Sequence, residues 1–154
     1  MQQSIVVFRV ADKEYGVPVE LVHSVEQGVT VTAVPRTIAF IRGVFELRGD
    51  VIPLVDMRER LGQMDQVVLE SGFVLVVEVN GDKTGFLVDE VNDVVPVDDE
   101  ALEPVPRVIG GLEAEFIRGM ARKGHRLLIL LNLPQLLSDA ELRQLKQLEE
   151  SRKS

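Results

Sequence analysis

Phe-Ile-Arg-Gly occurs twice, at Phe40–Gly43 and at Phe116–Gly119, an offset of 76 (116 − 40). The register extends past the tetrapeptide. Leu54 falls on Leu130, Asp56 on Asn132 and Leu61 on Leu137, while the apolar run Val51–Val55 falls on Leu127–Leu131. A second register lies upstream, offset by 69 (85 − 16): Gly16 falls on Gly85, Glu20 on Asp89, Val22 on Val91 and Val25 on Val94. Two registers of matched glycines, caps and apolar positions argue for two copies of one small unit, the second with a longer loop around residues 104–111.

The unit reads as β structure. Ile5–Val10, Tyr15–Val19, Phe73–Val79, Lys83–Val88, Val91–Val97, Phe116–Ala121 and Arg126–Leu131 are short apolar or alternating runs bounded by turn residues. Val29–Val34 alternates Val and Thr and predicts a further strand. Residues 20–25 stand between a helical turn and extended chain. Asn80-Gly81 is a two-residue hairpin signal. In residues 40–62, Gly43 and Gly49 mark places where the backbone needs positive φ or a close approach. Asp56 can cap a short helix that Gly62 closes. Short strands between turns suggest barrels. A unit of about 60 to 70 residues is near the lower limit for a core of its own. Two units gain by packing over a shared apolar seam, and a seam between barrels makes a groove for a peptide or a helix.

The tail differs. Ser138 with Glu141 forms a capping box, and Leu142, Leu145 and Leu148 recur at helical spacing among charges. Residues 1–137 are therefore expected to form the two-unit body and residues 138–154 an amphipathic helix.

Composition narrows the function. Net charge −8 and aromatic content of 5% argue against a nucleic-acid partner. The absence of Cys removes disulfides, thiolate metal sites and Cys nucleophiles. The N-terminal stretch lacks a basic start and turns charged too soon for a signal peptide, and no apolar run approaches the roughly 18 to 20 residues of a membrane span. His23 and His125 lack metal-ligand spacing. The acidic residues Asp89, Glu90, Asp93, Asp98, Asp99 and Glu100 do not follow a calcium-loop pattern and read as caps and a solvated face. No nucleophile elbow and no phosphate loop are present.

Tyr15-Gly16, the block at residues 40–62, GFLVDEVNDVV at residues 85–95, and FIRG followed by RLLILLNLPQLL at residues 116–137 together resemble the CheW family, adaptors of bacterial chemosensory arrays. The resemblance spans nearly the whole chain. It implies a mainly β fold of two SH3-like five-stranded barrels on a shared core, intertwined within residues 1–137, with short helices besides the tail helix. It implies no catalysis and no cofactor or metal. The implied role is to link the cytoplasmic tip of a methyl-accepting chemoreceptor to the regulatory domain of a CheA-type histidine kinase, in the cytoplasm at membrane-associated receptor arrays. One barrel would contact the kinase domain, and the groove would take the receptor's helical hairpin. By family alignment the groove candidates are Val22, Val51, Phe73, Gly85 and Val94, with Gly43 and Arg48 nearby.

Two positions depart from the family pattern. Glu46 precedes Leu47-Arg48-Gly49 where the family usually has Asn, and Ser24 stands where the family often has a Glu that can pair with the arginine matching Arg48. Glu46 is a candidate for the compensating charge. These departures leave open an adaptor of a pilus or surface-sensing system. A small hydrolase built on the acidic loops has no second motif behind it. Pro-rich peptide binding would need an aromatic groove that one Tyr and no Trp supply poorly.

Overall fold

The computed structural model describes residues 1–34, 40–63, 65–109 and 112–137. The expected tail helix lies outside them. Strands β1 (Gln2–Val10) and β2 (Lys13–Pro18) form a hairpin, and a 3-10 turn leads into β3 (Val22–Glu26). A second hairpin joins β4 (Ile41–Leu47) to β5 (Asp50–Asp56), which runs into the one-turn helix α1 (Met57–Arg60). Next come β6 (Phe73–Val79), β7 (Asp82–Val88) and β8 (Glu90–Asp98). A two-stranded ribbon, β9 (Val108–Ile109) with β10 (Leu112–Glu113), precedes β11 (Ile117–Lys123), β12 (Arg126–Leu131) and α2 (Leu133–Leu137).

The fold is mainly β, with two five-stranded sheets, ordered β3-β6-β7-β5-β4 and β11-β12-β2-β1-β8. Neither sheet is built from one repeat copy. The hairpin β6–β7 of the second copy sits between β3 and β5 of the first, and β1–β2 of the first sits between β8 and β12 of the second. Both insertions are sealed by a parallel pair, Leu54 beside Gly85 and Leu130 beside Gly16. We call the two curled sheets the central barrel (β3 to β7) and the terminal barrel (β1, β2, β8, β11, β12).

Alternation along the strands divides the apolar residues among three cores. Phe45, Ile52, Leu54, Val74, Val76 and Leu87 fill the central barrel. Ile5, Val7, Val97, Ala121, Leu128 and Leu130 fill the terminal barrel. The opposite faces of the same strands, with Phe8, Tyr15, Val17, Leu75, Val77, Phe86 and Leu131 among them, meet in one shared core between the sheets. Met57 and Leu61 from α1 and Leu133, Leu136 and Leu137 from α2 also belong to it.

The expected strand at Val29–Val34 is corrected to a single bridge, Thr32 with Val44, whose two hydrogen bonds are 2.8 and 2.9 Å. The alternation there is real, since Val29 and Val31 pack on the central-barrel core, but only Thr32 reaches a partner strand. The bridge Glu103 with Met120 is its counterpart on the terminal barrel. Residues 20–25 resolve into a 3-10 turn over Val19–Leu21 and then strand. Of the ribbon, β9 falls inside the stretch read as loop and β10 just after it.

The seam between the barrels and the candidate partner surfaces

Val22 pairs with Val77 at one edge of the central sheet, and Phe73 pairs with Val88. Val77 and Val88 are buried in the shared core, and Val22 and Phe73 lie partly buried against it. Both therefore line the margin of the seam. Val94 lies on β8, the edge strand of the terminal sheet, opposite Val6 of the same core, and is 56% exposed. Val25, its repeat counterpart, pairs with Leu75 and is 45% exposed. The candidate set had omitted Val25, although the repeat already matched it to Val94.

Val51 is separated from these residues. It is partly buried opposite the exposed Glu46. Four residues of strand, about 13 Å, divide it from Val55, where β5 enters the shared core. Arg48 and Gly49 form the two-residue turn between β4 and β5, with φ of +50° and +89°, the left-handed pair that a type I′ hairpin demands. Arg48 is exposed on that turn. Among the described residues neither Arg48 nor Glu46 makes a side-chain hydrogen bond or ion pair, so the proposed compensation by Glu46 is not formed. Ser24 sits on β3 beside a register shift, its hydroxyl oxygen buried with no hydrogen-bond partner among the described residues.

Gly85 is reassigned. It is buried in mid-sheet, where a Cβ would come within 2.7 Å of the Phe45 ring and 2.9 Å of Val74 Cγ1. Its missing side chain faces the barrel interior, as does that of Gly16 against Ile5 and Leu130. Gly43 serves the barrel closure, with φ +142° and no room for a Cβ beside Thr32.

A cleft of about 420 Å³ opens on the terminal barrel, with Met120, Leu127 and Ile129 as apolar floor and Lys13, His125 and Arg126 among its rim. Leu127 is the repeat counterpart of Val51, which is the signal that could have found it.

Most of the acidic run is occupied in ion pairs and caps. Arg126 donates to Glu14 at 2.7 and 2.9 Å and to Asp93 at 2.9 Å, tying β12 to β2 and β8. Asp99 accepts from Arg118, Asp98 caps the turn at Glu100, and Glu90 pairs with Arg9. The Arg126 guanidinium holds both Glu14 and Asp93 below the usual carboxylate range. Carboxylates depressed in the folded state stabilise it above their unfolded pKa, and that stabilisation is lost as pH falls through the folded value. Arg126→Gln is therefore expected to cost stability near neutral pH, and the gap from wild type should close towards about pH 3. Urea unfolding at both pH values reads this directly. An equal gap at both would mean that Arg126 acts through packing. Asp56 has the opposite sign, because burial pushes its carboxyl up against the pull of Arg42 and of the amides of Glu59 and Val67. No group of three or more metal-ligating side chains occurs among the described residues, and no helix among them is long and apolar enough to cross a membrane.

Residues 4–141 match the CheW-like domain family model. The chain belongs to the CheW-like family. It is 32% identical over 139 residues to a probable chemotaxis protein CheW of Rhizobium etli, covering 90% of each. It is 31% identical over 153 residues to the chemotaxis protein CheW of Treponema pallidum, covering 96% of this chain and 89% of the other. The crystal structure of the scaffolding protein TtCheW from Thermoanaerobacter tengcongensis superposes with a TM-score of 0.81 at 33% identity, over 92% of this chain and 91% of the other. The CheW-like chain thus shares its two-sheet architecture with a solved relative along almost its full length.

Proposed function

We propose that this chain is a non-enzymatic chemotaxis adaptor that couples the cytoplasmic tips of methyl-accepting chemoreceptors to a CheA-type histidine kinase. It would act in the cytoplasm, recruited to membrane-associated receptor arrays. Family membership supports the adaptor class, and the relatives carry chemotaxis and scaffolding names. The observation that carries the coupling reading is the division of the apolar candidates into separate surfaces. Val22, Phe73, Val25 and Val94 border the seam, while Val51 and Glu46 lie at the β4–β5 hairpin. An adaptor must hold two partners at once, and coupling requires each to be bound with different strength in the two kinase states. The seam margin suits an amphipathic helix that lays its apolar face on exposed valines. The hairpin end of one barrel suits a rigid partner domain.

The test is an assembly assay with a CheA-type kinase and a soluble receptor signalling fragment, reading kinase activity and co-sedimentation. Val94→Asp is expected to weaken receptor binding by about 1 to 2 kcal/mol, since a partner helix would desolvate the new charge. Val51→Asp should leave receptor affinity unchanged and weaken kinase binding. The reverse pattern, with both variants folded, would move the receptor site to the hairpin.

A further inference from the structure

The helix α1 reaches from the central sheet across the seam in two places. Arg60 places its guanidinium carbon 5.1 Å from the centre of the Phe40 ring and 5.3 Å from that of Phe116. These are the two phenylalanines of the repeated FIRG motif, so one cation lies between equivalent residues of both copies. Phe40 leads into β4 of the central sheet and Phe116 into β11 of the terminal sheet. Each is tied to its own sheet, because the Phe40 carbonyl accepts from Asp56 N at 2.7 Å and the Phe116 carbonyl from Asn132 N at 2.9 Å.

Two residues earlier, Arg58 donates through Nε to both oxygens of Asp89, at 3.1 and 2.9 Å. Asp89 is the connector residue that carries the chain from β7 in the central sheet to β8 in the terminal one. It also accepts from Ala11 N, in the β1–β2 turn of the terminal sheet, at 2.7 Å. Arg58 is held in turn by Asp65.

The second copy has none of this. Its helix α2 carries Pro134 where α1 has Arg58 and Leu136 where α1 has Arg60, and Leu136 is buried in the shared core. Apolar packing holds two faces together without fixing the angle between them. A guanidinium stacked between rings and a two-oxygen contact to a carboxylate are directional. The directional contacts across the seam are thus made by α1, and α2 adds only apolar packing.

We propose that α1 is a clamp that fixes the angle between the two barrels, with Arg60 between Phe40 and Phe116 as its cross-barrel contact. Changes in barrel angle then pivot about α1 and open or close the seam away from it. The clamp stands on these contacts alone. Its consequence for receptor binding rests on the adaptor reading above.

The chain has no Cys, so spin labels can be placed at Glu46→Cys and Arg122→Cys, exposed equivalent positions on the two barrels. Pulsed dipolar spectroscopy on the full chain then reads the distance between barrels. One narrow distribution is expected for the otherwise native chain. Arg60→Leu, which installs the residue natural to the second copy, should broaden or displace it, and Arg60→Lys should fall between. Phe116→Leu removes one ring while keeping Arg60, and serves as the second variant if Arg60→Leu does not fold. A distribution unchanged in width and mean in a folded Arg60→Leu or Phe116→Leu chain overturns the clamp. A changed distribution with unaltered receptor-fragment affinity upholds it and counts against the seam as the receptor site.

Discussion

Asp56→Ala is expected to destabilise the fold by about 3 to 5 kcal/mol, the usual cost of breaking a buried charge pair. The carboxylate is fully buried. It accepts from Arg42 Nη1 at 2.8 Å, from the amides of Arg58 and Glu59 at 3.0 and 3.2 Å, and from that of Val67 at 3.0 Å. One side chain thus caps α1, pins the loop that inserts Val67 into the central barrel, and neutralises Arg42. Alanine leaves three amides and a guanidinium without that acceptor. The repeat shows how a neutral version works. Asn132 caps α2 by accepting from Gln135 N, and Arg118, the counterpart of Arg42, turns instead to Gln3 and Asp99. Asp56→Asn alone should therefore remain costly, because among the described residues Asp56 is the one carboxylate that Arg42 pairs with. Adding Arg42→Gln should recover part of the loss, with a coupling of about 1 to 3 kcal/mol in a double-mutant cycle measured by urea unfolding. Strict additivity would mean that the cap, rather than the ion pair, carries the effect.

Gly43→Ala is the second large effect, at about 3 kcal/mol or more. A Cβ at Gly43 would stand 2.2 Å from the carbonyl oxygen of Thr32 and 2.9 Å from its carbonyl carbon. Those are backbone atoms, so no rotamer change relieves the overlap. The φ of +142° adds strain for any L side chain. Relief requires segment 31–33 to move off β4, which breaks the Thr32–Val44 bridge that extends the central barrel past its last strand. Hydrogen exchange at the Thr32 and Val44 amides should rise well above that of the β6–β7 ladder. Exchange at those amides equal to wild type would show that the closure survives the methyl group. Gly119 is the contrast within the same molecule. Its nearest obstacle is the Leu102 side chain at 3.2 Å, so Gly119→Ala should be milder.

The elements were legible where a local rule governs them. Asn80-Gly81 announced its hairpin, and Asp56 announced the cap of α1. The β1–β2 turn falls between the two expected strands, although Ala11 adopts φ +56° without being Gly or Asn. The exchange of hairpins could not be read locally at all. Ile5 and Val74 occupy equivalent positions in two similar interiors, so the apolar pattern fits β2 beside β5 as well as β2 beside β12. Site candidates behaved alike. Val22 and Phe73 fell on the seam, whereas Gly85 turned inward because a glycine's facing is invisible in a pattern of side chains. The Arg126–Asp93 contact joins β12 to β8, which are not neighbours in the sheet order, and no sequence spacing encodes it.

The hairpin exchange also governs how the molecule emerges from the ribosome. Glu14 finds its neighbour Leu128 only after 114 further residues (128 − 14) have been made. At the usual pace of translation that is a wait of roughly 6 to 23 s. For most of that interval the first hairpin has two apolar faces and neither of its flanking strands, since β8 is made before β12 but long after β2. The nascent chain therefore passes through a long vulnerable stage, and β12, the last of the described strands, is the one that seals the first hairpin at β2.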